Sequence, residues 1–281
     1  MFQSSAKSSE TKAGASFARR KMRPLSRIAK RILQSATAKI YGGRPLSTWP
    51  SILGRLHELR IPRSVVPHLS CSPTGSANIN ILLALLDETE GVPGDVAECG
   101  VYRGNSLIPM AIHLRQKGHS RSILGFDSFE GFDESIMIDL ELGGAGLDDK
   151  KVGGLSDTSV ELVESKLARF NLNNTVLVKG YFKESLPRYQ NRRFSFVHLD
   201  CDTYTAYKEC LEFFYPRLNQ NGVLLFDEYN DPAWPGCNLA VDEFLLDKPE
   251  KVHPIVRDNF QKFFLVKEFE AKKTFTKSAG R

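Results

Sequence analysis

The chain has 281 residues, which suits one large domain or one domain with an appendage. Its composition, 41% hydrophobic and 25% charged, is that of an ordinary globular protein, and no apolar run of roughly 18 residues is present to span a membrane. The five cysteines form no CxxC pair. This usage favours buried thiols in a reducing compartment over disulfides or zinc, and the expected location is cytoplasmic.

The net charge of +5 is unevenly distributed along the chain. Residues 1–44 contain eleven lysines and arginines against one acid, Glu10, a net charge of +10, so the remainder carries −5. Because this segment lacks a continuous apolar core, it does not match a secretory signal. We predict a basic, largely disordered arm over residues 1–44. An organelle transit peptide and a surface for anionic lipid or RNA are the alternatives.

Helix and strand patterns follow the arm in a regular order. Residues 45–93 are predicted to form a helical cap, with helices over Ser47–Leu59 and Asn78–Glu88. From residue 94 to 270 strands and helices alternate, which predicts an α/β fold with a doubly wound Rossmann-like sheet, and residues 271–281 form a tail. The predicted strands are Asp95–Cys99, Ser122–Phe126, Thr175–Lys179, Phe194–Leu199, Val223–Phe226, His253–Val256 and Phe263–Lys267, and the helices among them are Ser106–Lys117, Thr158–Phe170, Tyr204–Leu218 and Cys237–Leu246.

One long connection, residues 128–157, is rich in glycine and aspartate and shows no clear hydrophobic period. Connections of this length are uncommon inside a compact domain unless they serve the function. We therefore predict that residues 128–157 form either a lid or another functional loop, without regular secondary structure.

Two acidic pairs follow two successive strands of the predicted sheet. Asp200 and Asp202 come after one apolar strand, and Asp227 and Glu228 come after the next. A helix-period segment and an Asn-Gly turn join these strands, so they form a βαβ unit and lie parallel and adjacent. The carboxyl ends of parallel strands meet at the edge where α/β sheets bind ligands. Four carboxylates there repel one another unless a cation or a basic ligand joins them. Of the cations, carboxylates select hard ones, Mg²⁺ before Mn²⁺ or Ca²⁺.

The turn after the first strand carries an acid and two glycines, in the pattern E-x-G-x-x-x-G from Glu98 to Gly104. Such a turn is tight, and its backbone at Gly100, Val101 and Tyr102 can approach a bound nucleoside. The glycines lack G-x-G-x-x-G spacing, which argues against NAD and FAD, and the sequence has no Walker A motif. A plain structural glycine turn is the alternative.

Two further strand ends extend the candidate nucleoside site. Asp127 ends the second strand, where an acid accepts hydrogen bonds from ribose hydroxyls. A solvated turn aspartate is the alternative. After the third strand, Gly180 and Phe182 offer an aromatic surface for adenine, with a place in the core as the alternative for Phe182.

Six ordered motifs resemble the macrocin O-methyltransferase family, whose members are S-adenosylmethionine-dependent, metal-requiring sugar O-methyltransferases of antibiotic biosynthesis. The motifs are GDVAECGVYRGNS, FDSFEGF, KGYFKESLP, LDCDTY, LLFDEY and GCNLAVDEF, within Val92–Phe264. Together they are specific, whereas each alone is not. The resemblance implies a class I methyltransferase sheet with one antiparallel strand near the C-terminus.

The resemblance also implies roles for individual residues. Asp200, Asp227 and Glu228 match the family's magnesium ligands, and Asp200 matches its proposed base and is counted among the cofactor-binding positions. The implied S-adenosylmethionine site comprises Glu98, Gly100 and Asp127, lined by Arg103, Asn105, Ser106, Ser128 and Phe129.

The chain departs from the family pattern near these acids. The family commonly has Asp-Asp where this chain has Asp227-Glu228, and glutamate has one more methylene of reach as a metal ligand. Thr203 stands where the family more usually has leucine, and Ala206-Tyr207 stands where it has a Ser-Thr pair. These replacements are expected to alter the part of the site that binds the acceptor. The acceptor is therefore not carried over from the family.

Acceptor contacts are predicted for Asp202, Tyr204, Tyr229 and Trp234, which surround the acidic strand ends. Asp202 is either a metal ligand or a group that orients water or a cation. Trp234, next to proline on a loop, offers a sugar an apolar face, and a packed loop aromatic is the alternative. His198, two residues before Asp200, is interpreted as a hydrogen-bonded core histidine, with a contact to the site as the alternative.

These features predict an S-adenosylmethionine-dependent, Mg²⁺-dependent O-methyltransferase acting on a hydroxyl of a sugar or glycosylated small molecule. A catechol or phenol acceptor is one alternative, since vicinal hydroxyls also chelate a metal. An alternative of another class is a noncatalytic nucleoside-binding protein with a basic arm for nucleic acid or membrane. By analogy with the family we expect a homo-oligomer, and no stable nucleic-acid or membrane partner beyond a weak role of the arm.

Overall fold

The computed structural model describes residues 73–144, 150–257 and 260–268, with side chains from residue 78 onward. The predicted arm, the predicted helix Ser47–Leu59 and the tail 271–281 lie outside the described residues. The strands are β1 Asp95–Cys99, β2 Ile123–Asp127, β3 Thr175–Lys179, β4 Phe194–Leu199, β5 Leu218–Phe226, β6 His253–Arg257 and β7 Phe260–Val266. The helices are α1 Pro73–Glu88, α2 Leu107–Gln116, α3 Ile136–Leu142, α4 Val160–Arg169, α5 Phe182–Ser185, α6 Tyr204–Phe214 and α7 Pro235–Leu245, with 3₁₀ turns at Leu186–Tyr189 and Tyr215–Arg217.

The seven strands form one sheet in the order β3-β2-β1-β4-β5-β7-β6. All neighbouring pairs are parallel except those of β7, which runs antiparallel to β5 and to β6. The chain order reverses between β1 and β4, which is the switch point where open α/β sheets bind ligands. The predicted doubly wound sheet, the adjacent parallel pair β4–β5 and the single antiparallel strand are confirmed.

Helices cover both faces of the sheet, and each face has its own apolar core. The face under α1, α2 and α4 includes Val96, Phe196 and Leu225. The face under α6 and α7 includes Ala97, Val197 and Leu224. The alternation of these neighbours along β1, β4 and β5 follows from the two-residue period of a strand. All six are buried, as expected for the central strands of a sheet that is covered on both faces.

The α1 helix begins at Pro73, five residues before the predicted start at Asn78, because proline is well tolerated in the first helical turn. It packs against α2 and against β5, β6 and β7, so the described end of the predicted 45–93 cap belongs to a layer of the sheet. No helix within the three described ranges is long and apolar enough to cross a bilayer. Cys99, Cys201, Cys210 and Cys237 are buried and form no disulfide, as predicted for the first three.

The prediction for the start of β5 was wrong. The Asn221-Gly222 pair was expected to form a turn before a strand at Val223, but β5 begins at Leu218 and continues through the pair. Asn221 has a positive φ of 62°, and the pairing with β4 shifts register between Phe194 and Phe196. A left-handed residue with a register shift is the signature of a bulge inside a strand, which shares its residue preferences with turns.

The prediction for residues 128–157 was also wrong in part, because this connection contains the helix α3. Its apolar residues show no period, since Met137, Ile138, Leu140 and Leu142 are exposed while Ile136 and the charged Asp139 are buried. A seven-residue helix whose buried face includes a carboxylate cannot be recognised from hydrophobic spacing.

Candidate active site

The carboxyl ends of β1, β2 and β4 surround a cavity of about 440 Å³. One side is formed by the turn after β1 and the start of α2, and the other by the lid segment and the start of α6. Its lining includes nine of the predicted cofactor residues: Gly100, Val101, Tyr102, Asn105, Ser106, Asp127, Ser128, Phe182 and Asp200. The cavity therefore coincides with the predicted nucleoside site.

Asp127 fixes the turns on either side of this cavity. Its Oδ2 accepts a hydrogen bond from the backbone nitrogen of Tyr102 at 2.7 Å, and its Oδ1 accepts one from Phe129 at 2.6 Å. Both donors are left-handed, with φ of 48° and 54°. Burial raises the pKa of Asp127, although these N–H groups lower it. Strained backbone at two strand ends, held by one carboxylate, is typical of a preorganised ligand site.

Gly100 allows β1 to approach β4 at the floor of the cavity. Its φ is 90°, and a Cβ there would lie 1.6 Å from the carbonyl oxygen of Asp200. Any side chain would separate the two strand ends, so glycine is required for steric reasons and not only for its turn. Asp200 is held in turn by a 2.9 Å bond from its nitrogen to the Cys99 carbonyl.

Next to this cavity, Asp200, Asp227 and Glu228 place carboxylate oxygens within 4.8 Å of one another. We call these three residues the acidic edge. Burial and repulsion from Asp227 raise the pKa of Asp200 to about 7. Burial, followed by the charges of Asp200 and Asp202, raises the pKa of Glu228 well above its usual value. The predicted gathering of acids is confirmed for three of the four carboxylates, since Asp202 is not part of this cluster. A bound cation would reverse each of these shifts.

A row of charged side chains crosses four neighbouring strands behind the acidic edge. The Nδ1 of His198 on β4 lies 3.0 Å from Oε1 of Glu98 on β1, and its Nε2 lies 3.4 Å from Oδ1 of Asp227 after β5. The Nζ of Lys262 on β7 lies 2.7 Å from the same Asp227 oxygen. We call Glu98, His198, Asp227 and Lys262 the charged row. Its signs alternate, so each charge has an opposite neighbour.

Contacts within the charged row shift the pKa values of His198 and Asp227. Although burial favours the neutral ring, hydrogen bonds to Asp227 and Glu98 raise the pKa of His198 to about 10. Burial opposes ionisation of Asp227, but Lys262 and His198 hold its pKa well below the usual range. His198 is thus a cation and Asp227 an anion at neutral pH. The interpretation of His198 as a hydrogen-bonded core histidine is confirmed, and it also contacts the acidic edge.

Four of the predicted cofactor residues do not line the cavity. Glu98 is fully buried in the charged row, and Arg103 pairs with the exposed carboxylate of Asp157. Phe129 is a core residue at 5% exposure, although its nitrogen binds Asp127. Gly180, with φ of 135°, donates its N–H to the Asp127 carbonyl at 3.0 Å. Of these four, Phe129 and Gly180 contact the cavity residue Asp127 through their backbone nitrogens.

The predicted acceptor residues are dispersed. Asp202 lines the cavity and has a left-handed φ of 60°. The hydroxyl of Tyr204 bonds to Glu243 at 2.8 Å, and that of Tyr229 bonds to Asp242 at 2.7 Å, so both are tied to α7. Trp234 is 5% exposed, so in this structure it is a packed loop aromatic.

The buried carboxylate of Asp139 links the 128–157 segment to the start of α6. Both oxygens of Asp139 on α3 lie 3.1 Å from the backbone nitrogen of Tyr204, which begins α6. A second fastening joins Lys150, whose Nζ donates to the Ala233 carbonyl at 2.5 Å and lies 4.5 Å from the centre of the Trp234 ring. The predicted lid is therefore anchored to α6 and to the loop before α7.

Two residues of the site, Lys262 and Asp139, were not predicted from the sequence. Lys262 falls in register with the core-facing Phe260, Phe264 and Val266, and a lysine at such a position signals a buried partner. Asp139 gives no comparable signal, because it stands among exposed apolar residues of α3.

Solved structures of other proteins share this fold. CalS11, described as a calicheamicin methyltransferase, has a TM-score of 0.60 at 22% identity, over 92% of this chain and 99% of that one. The O-methyltransferase NovP has a TM-score of 0.57 at 23% identity, over 74% of this chain and 89% of that one. Together with the strand order, these likenesses identify the class I methyltransferase fold.

The family is shown by the sequence itself. The model of the macrocin O-methyltransferase (TylF) family matches residues 57–251, more than half of the chain. The chain therefore belongs to the macrocin O-methyltransferase family, and the resemblance seen in the six motifs is confirmed.

Two relatives are named for the methyl transfer that they catalyse. The 8-demethyl-8-(2,3-dimethoxy-alpha-L-rhamnosyl)-tetracenomycin-C 4'-O-methyltransferase of Streptomyces olivaceus is 33% identical over 162 residues, 55% of this chain and 59% of that protein. Mycinamicin III 3''-O-methyltransferase of Micromonospora griseorubida is 32% identical over 162 residues, 55% of this chain and 61% of that protein. The matched part thus spans about three-fifths of the length of these relatives.

The residues fit the two groups that the family implies. Each oxygen of Asp127 accepts one N–H and keeps a lone pair for a ribose hydroxyl at the wall of the cavity. Around Mg²⁺, with oxygens at about 2.1 Å, octahedral ligand atoms lie roughly 3 to 4 Å apart. The acidic edge, with ligand atoms within 4.8 Å, needs only small movements to match this geometry. Its all-oxygen donor set suits a hard cation.

Proposed function

We propose that this protein transfers a methyl group from S-adenosylmethionine to a hydroxyl of a sugar or glycosylated small molecule, with Mg²⁺ at the acidic edge. The observation that carries the proposal is the double position of Asp200, which lines the cavity and also belongs to the acidic edge. Methyl donor and acceptor would meet at this carboxylate. The relatives named for rhamnosyl-tetracenomycin and mycinamicin methylation support a sugar hydroxyl as the acceptor.

The cavity residues would bind the methyl donor. Asp127 would accept the ribose hydroxyls, since it ends β2 beside the cavity. The backbone of Gly100–Tyr102 would lie against the methionine part, because no side chain intervenes at Gly100. Tyr181 and Phe182 line the part of the cavity next to β3 and offer a surface for adenine. This arrangement orients the sulfonium methyl toward Asp200 without any covalent intermediate on the protein.

Asp200 would act as the base. It belongs both to the cavity lining and to the acidic edge, so its carboxylate would stand beside an acceptor hydroxyl held at the same cation. A divalent cation held by the acidic edge would supply Lewis acidity that lowers the pKa of a coordinated hydroxyl. As the acceptor oxygen bonds to the methyl carbon, the bond from that carbon to sulfur breaks, its electron pair stays on sulfur, and the hydroxyl proton passes to Asp200.

A two-part measurement tests this proposal. Calorimetric titration with S-adenosylhomocysteine, with Mg²⁺ and then with EDTA, should show binding in both conditions, because the cofactor cavity and the acidic edge are separate except at Asp200. Methyl transfer from labelled donor to a panel of glycosylated and catechol acceptors should require the cation. Product from catechols alone would overturn the sugar assignment.

The variant Asp200→Asn separates an enzyme from a binding protein. It should abolish methyl transfer and retain S-adenosylhomocysteine binding, because the amide keeps the shape of the side chain but cannot accept a proton. Asp247→Asn, at an exposed aspartate outside both the cavity lining and the acidic edge, is the matched control and should keep activity. Binding of S-adenosylhomocysteine without product from any acceptor would favour the noncatalytic alternative.

Other predictions from the sequence are carried forward as proposals. They are the boundaries after residues 44, 93 and 270, a homo-oligomeric assembly, a cytoplasmic location, and the absence of a stable nucleic-acid or membrane partner beyond weak binding by residues 1–44. Deletion of residues 1–44 should leave methyl transfer intact. Analytical ultracentrifugation of the full chain tests the assembly.

A further inference from the structure

One carboxylate oxygen of Asp227 contacts both positively charged residues of the charged row. Its Oδ1 lies 2.7 Å from Nζ of Lys262, 3.4 Å from Nε2 of His198 and 3.4 Å from Nδ2 of Asn78 on α1. The ammonium of Lys262 also donates to the Asp227 carbonyl at 2.7 Å. These contacts leave the lone pairs of Oδ2 for a different partner at the acidic edge.

Lys262 is itself built into the fold. It is 7% exposed on β7, the antiparallel strand, and it lies on the face of the sheet that α1 covers. Its Nζ lies 2.7 Å from both an Asp227 carboxylate oxygen and the Asp227 carbonyl oxygen, which is the environment of an ammonium donor. A buried ammonium is costly unless paired, so its place beside the acidic edge is a defined feature of the site and not a surface ion pair.

We propose that Lys262 is a resident counter-cation of the acidic edge. Its ammonium supplies positive charge to Asp227 from behind, so the three carboxylates can assemble before a divalent cation arrives. The same charge repels that cation and weakens its binding. The inference rests on the proposed function, because it takes the acidic edge to be the Mg²⁺ site.

A purely positioning role for Lys262 leads to the opposite expectation. If Lys262 served only to orient Asp227, its loss would weaken divalent cation binding. The structure argues against that role, because His198 and Asn78 hold the same oxygen when Lys262 is replaced. Loss of the charge should therefore outweigh loss of orientation.

The test measures binding of Mn²⁺ alone, by the electron paramagnetic resonance signal of the free ion, to the full chain. Lys262→Gln removes the charge and keeps a hydrogen-bond donor, and Lys262→Met removes both. Each should bind Mn²⁺ at least about tenfold more tightly than the wild type, since a unit charge near the ion is lost. Lys262→Arg keeps the charge and should stay near the wild-type affinity.

Lys267→Gln is the matched control. Lys267 is similarly buried at 8% exposure just after β7, but its Nζ pairs with Glu250 at 3.3 Å, away from the acidic edge. This variant should leave Mn²⁺ affinity unchanged. Unchanged or weaker Mn²⁺ binding in both Lys262→Gln and Lys262→Met would overturn the proposal.

Thermal unfolding gives a second readout that does not depend on activity. Mg²⁺ should raise the unfolding temperature of the wild type, because a cation that binds the folded state stabilises it. It should raise that of Lys262→Gln by more, because this variant lacks the resident charge in EDTA and binds the cation more tightly. A variant that stays unfolded in both would contradict the proposal, because a bound cation should replace the missing charge. S-adenosylhomocysteine binding is measured in parallel. If the wild type does not bind S-adenosylhomocysteine, the proposed function is wrong. If it does bind, but the Lys262 variants do not change Mn²⁺ affinity, only the role of Lys262 is wrong.

Discussion

The hydroxyl of Tyr207 lies 2.6 Å from Oε2 of Glu228, and both residues stand where the chain departs from the family pattern. Tyr207 is fully buried, and its hydroxyl also lies 2.9 Å from the Leu199 carbonyl, directly before Asp200. The Tyr207 hydroxyl on α6 thus donates a hydrogen bond to the longer side chain of Glu228. We infer that the two departures form one unit at the acidic edge.

Replacement of Tyr207 by phenylalanine tests this unit. The Glu228 carboxylate would lose a buried hydrogen-bond partner, so Tyr207→Phe should lower the free energy of unfolding by about 1–3 kcal/mol, measured by urea denaturation. The freed carboxylate should also shift Mn²⁺ affinity. Tyr215→Phe, which removes a buried hydroxyl that lies 2.5 Å from Glu250, should lower stability without changing Mn²⁺ affinity. Equal Mn²⁺ affinity in both variants and the wild type would show that Tyr207 does not act on the acidic edge.

A second prediction concerns the anchor of the lid. Asp139→Ala removes the acceptor of the Tyr204 amide at the start of α6, a contact comparable to a helix cap worth about 1 kcal/mol. Lid residues Gly131–Ser135 contribute to the cavity wall, so S-adenosylhomocysteine affinity should fall about fivefold. Trypsin should cleave faster after Lys150 or Lys151. Glu141→Ala on the exposed side of α3 is the control, and an effect as large there would exclude a specific anchor.

A third prediction concerns Asp127. Asp127→Ala removes hydrogen bonds to the left-handed residues Tyr102 and Phe129, so both turns should relax and the proposed ribose contact should vanish. We expect S-adenosylhomocysteine affinity to fall at least about tenfold, which is roughly 1.4 kcal/mol. Mn²⁺ affinity should be unchanged, because Asp127 lies outside the acidic edge. Calorimetry of both ligands on the one variant checks this, and equal losses for both would indicate general misfolding instead.

The sequence predicted those parts of the fold that rest on local patterns. The strands β1, β3 and β4 were predicted to the residue, because each is a short apolar run bounded by turn residues. The acidic edge was predictable because parallel strand ends must meet at one place. The charged row was not, since it depends on β7 lying beside β5, a pairing between segments about forty residues apart that no local period reports. The helix α3 was missed because its buried face carries Asp139.

The last prediction is the pH dependence of cation binding. Burial and Asp227 raise the pKa of Asp200 from 3.8 to about 7 in the cation-free protein, so below pH 7 a proton occupies this ligand. A cation must displace that proton, and burial also raises the pKa of Glu228, so the apparent Mn²⁺ affinity should fall by at least about tenfold for each pH unit below roughly 6.

Folding stability in EDTA should respond in the opposite sense. The folded state binds this proton more tightly than the unfolded chain, so the Asp200 contribution should favour folding as pH falls from about 7 toward 3.8. Titrations of wild type and Asp200→Asn from acidic to basic pH check both effects. The asparagine variant should bind Mn²⁺ weakly, with a shallower pH dependence. A wild-type affinity that is flat across pH 7 would show that Asp200 is already ionised before the cation arrives and would contradict this prediction.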